Sequence, residues 1–138
     1  MTHTTPTATF ALPLRVRYVE CDMQSRVFNA HYLTWVDMAH ADALDQITGG
    51  YRAMVAGGVD VVVVAADMRF RSPACYDDHI VVHTAVHVPG NTSLRSEFSI
   101  TRDDEVLVEC TLTHVCVDTT DYRKQPWPDW LRAKLPRP

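Results

Sequence analysis

The chain has 138 residues, 46% of them hydrophobic and 22% charged, with a formal net charge of −4. That length fits one domain able to bury about two-thirds of its unfolded surface. An acidic balance with no Lys/Arg cluster argues against a nucleic-acid duplex or an anionic membrane as the main partner. No apolar run approaches the roughly 20 residues of a membrane helix. The Thr-rich start "MTHTTPTATFALPL" has neither the basic nor the long apolar segment of a secretory signal, so a cytoplasmic protein is expected. The four cysteines, Cys21, Cys75, Cys110 and Cys116, include no C-x-x-C pair and read as reduced thiols.

Residues 1–11 read as a flexible lead-in. Residues 14–20, "LRVRYVE", alternate apolar Leu14, Val16 and Tyr18 with Arg15 and Arg17, the period of a strand. From about residue 30 to 48 the period becomes helical. Tyr32, Val36, Ala39, Ala43 and Ile47 recur at three and four, and Leu33 and Leu44 widen that face. Asn29 is placed to cap this helix and Gly49 to stop it. Four strand candidates follow: "VDVVVVAADMRFRS", "HIVVHTAVHV", "SLRSEFSITR" and "EVLVECTLTHVCVD". The first is too apolar to meet water on both faces, and a tight "RDDE" turn joins the last two as a hairpin. Residues 123–138 form a tail punctuated by Pro and Trp. The predicted architecture is a single α+β domain over 1–138, an antiparallel five-stranded sheet wrapped around one long central helix. One helix covers one sheet face only, so self-association is expected.

Asp22 lies between the first strand candidate and the long helix. A helix start carries free N–H groups and about half a positive charge. A carboxylate facing such donors makes two parts of a hydrolytic site: a group that attacks or accepts a proton, and a place for an oxyanion. The same carboxylate could instead cap its loop or pair with Arg26. Spacing alone leaves both open.

The stretch "RVRYVECDMQSRVFNAHYLTWVDMAHADAL" resembles the opening of the 4-hydroxybenzoyl-CoA thioesterase family of hot-dog fold enzymes, including its YbgC-like acyl-CoA thioesterases. The family pattern is a strand ending in Asp, a short Gly-bearing loop, and an N- or H-A-x-Y-L helix start, here Asp22, "MQSRVF" and "NAHYL". "MRFRSPACYDDHIVVHTAV", "GNTSLRSEFSI" and "ECTLTHVCVD" resemble later family segments, so the likeness covers about residues 14–120. It implies a hot-dog fold and hydrolysis of a fatty or aromatic acyl thioester to free acid and thiol. Asp22 would attack the carbonyl or activate water, and the backbone N–H of Asn29 would polarise the carbonyl oxygen. The leaving thiol needs no metal or organic cofactor, coenzyme A being part of the substrate. Hot-dog proteins are dimers or tetramers as a rule, with the acyl group in an apolar tunnel between the helix and a neighbouring subunit.

Two positions depart from the pattern. Ser25 stands where the loop usually has Gly, and Asn29 stands where many relatives have His, the nearest histidine here being His31. His31 and Tyr32 are candidate site-lining residues, Tyr32 as packing first. Some relatives carry cations for the coenzyme A phosphates in the turn where this chain has "PGNTS", which leaves Arg69, Arg71 and Arg95 as substitutes and an acyl carrier protein as an alternative donor. No metal site is expected, because His83 and His87 stand about 13 Å apart along a strand. Rival functions are an enoyl-thioester hydratase or dehydratase using His31 or His40 with Asp37, and a non-catalytic acyl-thioester binding module.

Overall fold

The computed structural model describes residues 7–138. Strand β1, Thr7–Arg15, leads through a 3-10 turn at Tyr18–Glu20 to helix α1, Asn29–Thr48, and short helix α2, Tyr51–Ala56. Strands β2 (Val59–Phe70), β3 (His79–His87), β4 (Ser93–Arg102) and β5 (Glu105–Asp118) follow, then a one-turn helix α3, Asp129–Arg132. The sheet runs β1-β3-β4-β5-β2 with every neighbour antiparallel. The segment carrying α1 therefore crosses from one sheet edge to the other. This is the five-stranded antiparallel sheet with one long helix that the sequence implies.

The start of the chain differs from expectation. Of the expected lead-in, residues 1–6 lie outside the described residues, and residues 7–11 form the first half of β1. Phe10, Leu12 and Leu14 turn inward in alternation, while Pro13, which lacks an N–H, is tolerated because β1 is an edge strand. The predicted strand over 14–20 stops at Arg15. Val16 turns to the segment before β3, its N–H bonding Asp78 O at 2.9 Å, and Glu20 then folds inward beneath Trp35.

Helix α1 is 20 residues, about 30 Å long. Gly49 ends it at φ 86°, its N–H bonding Asp45 O at 2.9 Å. The buried face holds Tyr32, Val36, Ala39, Ala43 and Leu44 as predicted, together with Trp35 and His40. Leu33 is exposed. Around the first half of α1 the core is closed by Ile80, Val82, Phe98 and Ile100 from β3 and β4. Around the second half it is closed by Met54, Leu94 and Cys116, and by the tail, which docks Trp127, Leu131 and Leu135 against them. Trp127 also donates its indole N–H to Ser93 O at 3.1 Å. In strand β2 the middle residues, 63–67, are exposed on the sheet edge, with Val63 at 50% and Val64 at 56%. Within the single chain, the apolar strand expected to be covered meets solvent there.

Candidate active site

Asp22 sits at the base of a tight hairpin. Its N–H bonds Arg26 O at 2.8 Å, Ser25 N–H bonds its carbonyl at 3.0 Å, and Cys21 faces Val27 across the ladder. Three residues, Met23 to Ser25, make the loop. Ser25 adopts φ 62°, the left-handed conformation that the third loop position of such hairpins requires and that glycine usually supplies. The Gly-to-Ser departure thus leaves the turn conformation in place and puts a side chain where it is strained. The side chain of Asp22 is exposed, and its Oδ1 accepts the Gln24 N–H at 2.8 Å. Among the described residues Oδ2 has no hydrogen bond and Asp22 no ion pair. Arg26 meets it through the backbone only. One carboxylate oxygen finishes the turn, and the other is free for chemistry.

The helix start is uncapped. Phe28, not Asn29, is the N-cap, because its N–H is held by Glu20 O at 2.9 Å and its backbone is extended at φ −66°, ψ 136°. No side chain caps it, so the expectation of Asn29 as the cap is corrected: Asn29 is the first helical residue. The first amide bonded at this end is His31 N–H, to Phe28 O at 2.9 Å. The amides of Asn29 and Ala30 have no hydrogen-bond partner among the described residues. Two free N–H groups at the positive end of a 20-residue helix are ready donors for a developing oxyanion.

The other candidates divide. His31 is half-buried on the first turn of α1, its ring 6.2 Å from that of Phe28. Tyr32 is buried beneath the site, where its hydroxyl oxygen accepts the Ala74 N–H at 2.9 Å and its ring meets Trp35 and Phe70. Burial raises its phenol pKa, keeping the O–H protonated. Arg69, Arg71 and Arg95 are not gathered around Asp22. They project from the sheet face opposite α1, where Arg69 faces Asp67 at 3.5 Å, Arg71 forks onto Glu109 at 3.0 and 3.3 Å, and Arg95 bonds Glu97 at 3.0 Å. A groove of about 740 Å³ on that face is lined by Asp67, Arg69, His83, Glu97 and Glu109 among others. His40 does not pair with Asp37. It is buried against the sheet, stacked on His114 with ring centroids 3.8 Å apart and planes 3° apart, while Asp37 is exposed.

Sequence reasoning missed Glu20 and Trp35. Glu20 is 3% exposed and takes hydrogen bonds from Trp35 Nε1 at 2.7 Å, Arg17 N at 2.8 Å and Arg17 Nη2 at 3.2 Å. Burial pushes its carboxyl up, but the bonds from Arg17 and Trp35 together outweigh this and hold it below the ordinary carboxylate value. The available signal was parity: Glu20 shares the alternation of Leu14 and Val16, an acid on the apolar side.

The Asp22 loop and the start of α1 are joined through the Cys21–Val27 bridge and the bond from Phe28 N–H to Glu20 O. Residues 16–135 match the model of the thioesterase-like superfamily. The putative acyl-CoA thioesterase YneP of Bacillus subtilis is 26% identical over 125 residues, 87% of this chain and 91% of that protein. The long-chain acyl-CoA thioesterase FadM of Escherichia coli is 25% identical, covering 88% of this chain and 93% of that one. Among solved structures, the DHNA-CoA thioesterase of Staphylococcus aureus superposes with a TM-score of 0.82 at 18% identity, over 91% of this chain and 87% of that one. With its long helix on a five-stranded sheet and a family match running from Val16 to Leu135, the chain belongs to the thioesterase-like superfamily.

Proposed function

We propose that the chain hydrolyses acyl-CoA thioesters, with Asp22 as the catalytic carboxylate and the N–H of Asn29 as the oxyanion donor. What supports this is an exposed carboxylate with one unbonded oxygen in a hairpin whose returning strand, bridged at Cys21–Val27, leads into a helix start whose first two amides are unbonded. The thioester carbonyl carbon sits between them. Its oxygen accepts from Asn29, with Ala30 as the neighbouring donor, and gathers negative charge as the tetrahedral species forms. The free oxygen of Asp22 takes a proton from the attacking water, or attacks the carbon itself, and the bond to sulfur then breaks; in the second course water next hydrolyses the acyl-aspartyl anhydride, freeing Asp22 and supplying the proton. Coenzyme A departs as a stabilised thiolate that takes up the proton, and the acyl group leaves as a carboxylic acid. Such a leaving group calls for no metal or organic cofactor. Removing one oxyanion donor in other enzymes costs about 3 kcal/mol of barrier, so the Asn29 amide is a major part of the rate.

We place a second copy of the chain over the unpaired edge of β2 and the apolar rim of the site, as a dimer or a dimer of dimers. An open edge with Val63 and Val64 exposed is a template for pairing, and Tyr18, Met23 and Phe28 are exposed in the segment that carries Asp22. The acyl group then lies between α1 and the neighbouring subunit. Arg69, Arg71 and Arg95 each face a carboxylate on the far face of the sheet. Holding the coenzyme A phosphates through them requires exchanging those partners, so the proposal rests on the thioester end of the substrate. Among the described residues no helix is long and apolar enough to cross a membrane. The four cysteines are unpaired, which supports a reducing, cytoplasmic setting.

The test is a panel of straight-chain and aromatic acyl-CoAs at neutral pH, with free thiol followed over time. Catalytic release of thiol from at least one member is expected. Enoyl-chain hydration without thiol release, or binding without turnover, would replace the proposal with a hydratase or a binding module.

A further inference from the structure

Glu20 joins three elements that meet at the site. Its Oε2 accepts the indole N–H of Trp35 at 2.7 Å, on the second turn of α1, and its Oε1 accepts the amide of Arg17 at 2.8 Å. Its carbonyl oxygen accepts the amide of Phe28 at 2.9 Å, one residue before Asn29. The side chain therefore grips the body of the helix while the main chain grips its entry, and Asp22 follows two residues later. Trp35 is itself fixed, 2% exposed and edge-to-face with Tyr32 at 5.3 Å. Tyr32 in turn receives the amide of Ala74, whose carbonyl takes the amide of Val27 at 3.0 Å in the strand returning from the Asp22 loop.

A carboxylate in such a place is costly for the fold. An ionised group removed from water must recover its hydration from hydrogen bonds, and well-packed apolar residues often serve stability as well or better. What an apolar residue cannot do is hold an indole N–H and a guanidinium in fixed directions while its backbone anchors the next turn. The geometry of the site depends on that: the Asp22 carboxylate and the Asn29 amide must stand at a separation fitting one carbonyl group.

We propose that Glu20 is a positioning residue for thioester hydrolysis, its clamp between Trp35 and Phe28 setting the distance between the Asp22 carboxylate and the free amide of Asn29. This rests on the assignment of Asp22 as the catalytic carboxylate. The variants are Glu20→Ala, Trp35→Phe and the double substitution, first checked for folding by circular dichroism and for assembly by gel filtration. Steady-state hydrolysis of a turned-over acyl-CoA is then measured well below the melting temperature. Loosening the two groups by an ångström lowers kcat by about 100-fold, with KM within about threefold because substrate binding is not what changes. The double variant falls no further than the worse single one, since both break the same bond.

A folded Trp35→Phe enzyme with parental kcat overturns the proposal, as does a rise in KM at constant kcat. If Glu20→Ala does not fold, Trp35→Phe decides alone. Asp22→Asn is run beside them. If it keeps the parental rate, the assignment of Asp22 fails and the positioning role with it. If Asp22→Asn is inactive while Trp35→Phe keeps its kcat, the role of Glu20 alone fails.

Discussion

Acid should loosen this protein through two buried histidines stacked between α1 and β5. His40 on α1 and His114 on β5 stack face to face at 3.8 Å, each 3% exposed, and Nε2 of His40 and Nδ1 of His114 have no partner among the described residues. Phe98 of β4 closes on His40 at 6.2 Å, and Asp37, one turn earlier on α1, is the charged group that acts on His114. Burial, with the second ring adding repulsion, pushes His40 down to about 3. Burial pushes His114 down to about 4, with Asp37 opposing. Both start from 6.5, so the unfolded chain binds more protons than the folded one between those values. Stability is whole above pH 6.5 and falls as pH drops towards 4. At pH 5 each imidazole, 1.5 pH units below its unfolded value, withdraws about 2 kcal/mol, or about 4 kcal/mol for the pair. Against a total of about 5–15 kcal/mol, that is a large share.

Urea denaturation at pH 7 and pH 5, followed by far-ultraviolet circular dichroism, measures this directly. With a slope of about 1–3 kcal/mol per molar, the midpoint should drop by more than 1 M. The double variant His40→Leu, His114→Leu should lose most of that drop. Glu20 does not confound the window. Its folded-state value is depressed, so its contribution is lost only below the ordinary 4.5. A parental midpoint unchanged between pH 7 and 5, or a variant falling as far as the parent, refutes the account of the buried pair.

Ser25 holds φ 62°, where an L side chain costs about 1–2 kcal/mol, so Ser25→Gly should raise the urea midpoint. A lower midpoint would show that the hydroxyl contributes something the strain argument omits. The open edge of β2 gives a second test. Under the proposed self-association, the parent should sediment as a dimer or larger species, and replacing exposed Val63 and Val64 with Lys should yield monomers with loss of activity; a variant of parental mass would exclude that edge as the contact.

Local patterns carried much of the fold. The three-and-four spacing of Tyr32, Val36, Ala39 and Ala43 marks α1, and Gly49 marks its end, because periodicity and a left-handed stop are properties of the chain itself. The place of Asp22 in the loop before α1 was legible for a similar reason: it punctuates the change from one period to the other. What escaped depends on distant partners. Residues 14–20 look like a strand until Trp35, fifteen residues on from Glu20, draws that acid inward and bends the backbone into a 3-10 turn. Leu33 belongs to the apolar stripe by spacing yet is exposed, while Trp35 and His40 take places in the buried face. The sequence reads the tail only as punctuated by Pro and Trp, but Trp127, Leu131 and Leu135 seal the second half of the core. The helix cap fell on Phe28 instead of Asn29 because a backbone bond to Glu20, invisible to composition, fixes where the helix enters.

The most direct test of the whole account is the turnover number of Asp22→Asn on an acyl-CoA that the parent hydrolyses. Asn can still receive the Gln24 amide through its carbonyl oxygen, so the hairpin is kept while the basic and nucleophilic oxygen is removed. In Asp22→Asn, kcat should fall by about a thousandfold, with circular dichroism and sedimentation unchanged. A folded Asp22→Asn protein that releases thiol at the parental rate would contradict it.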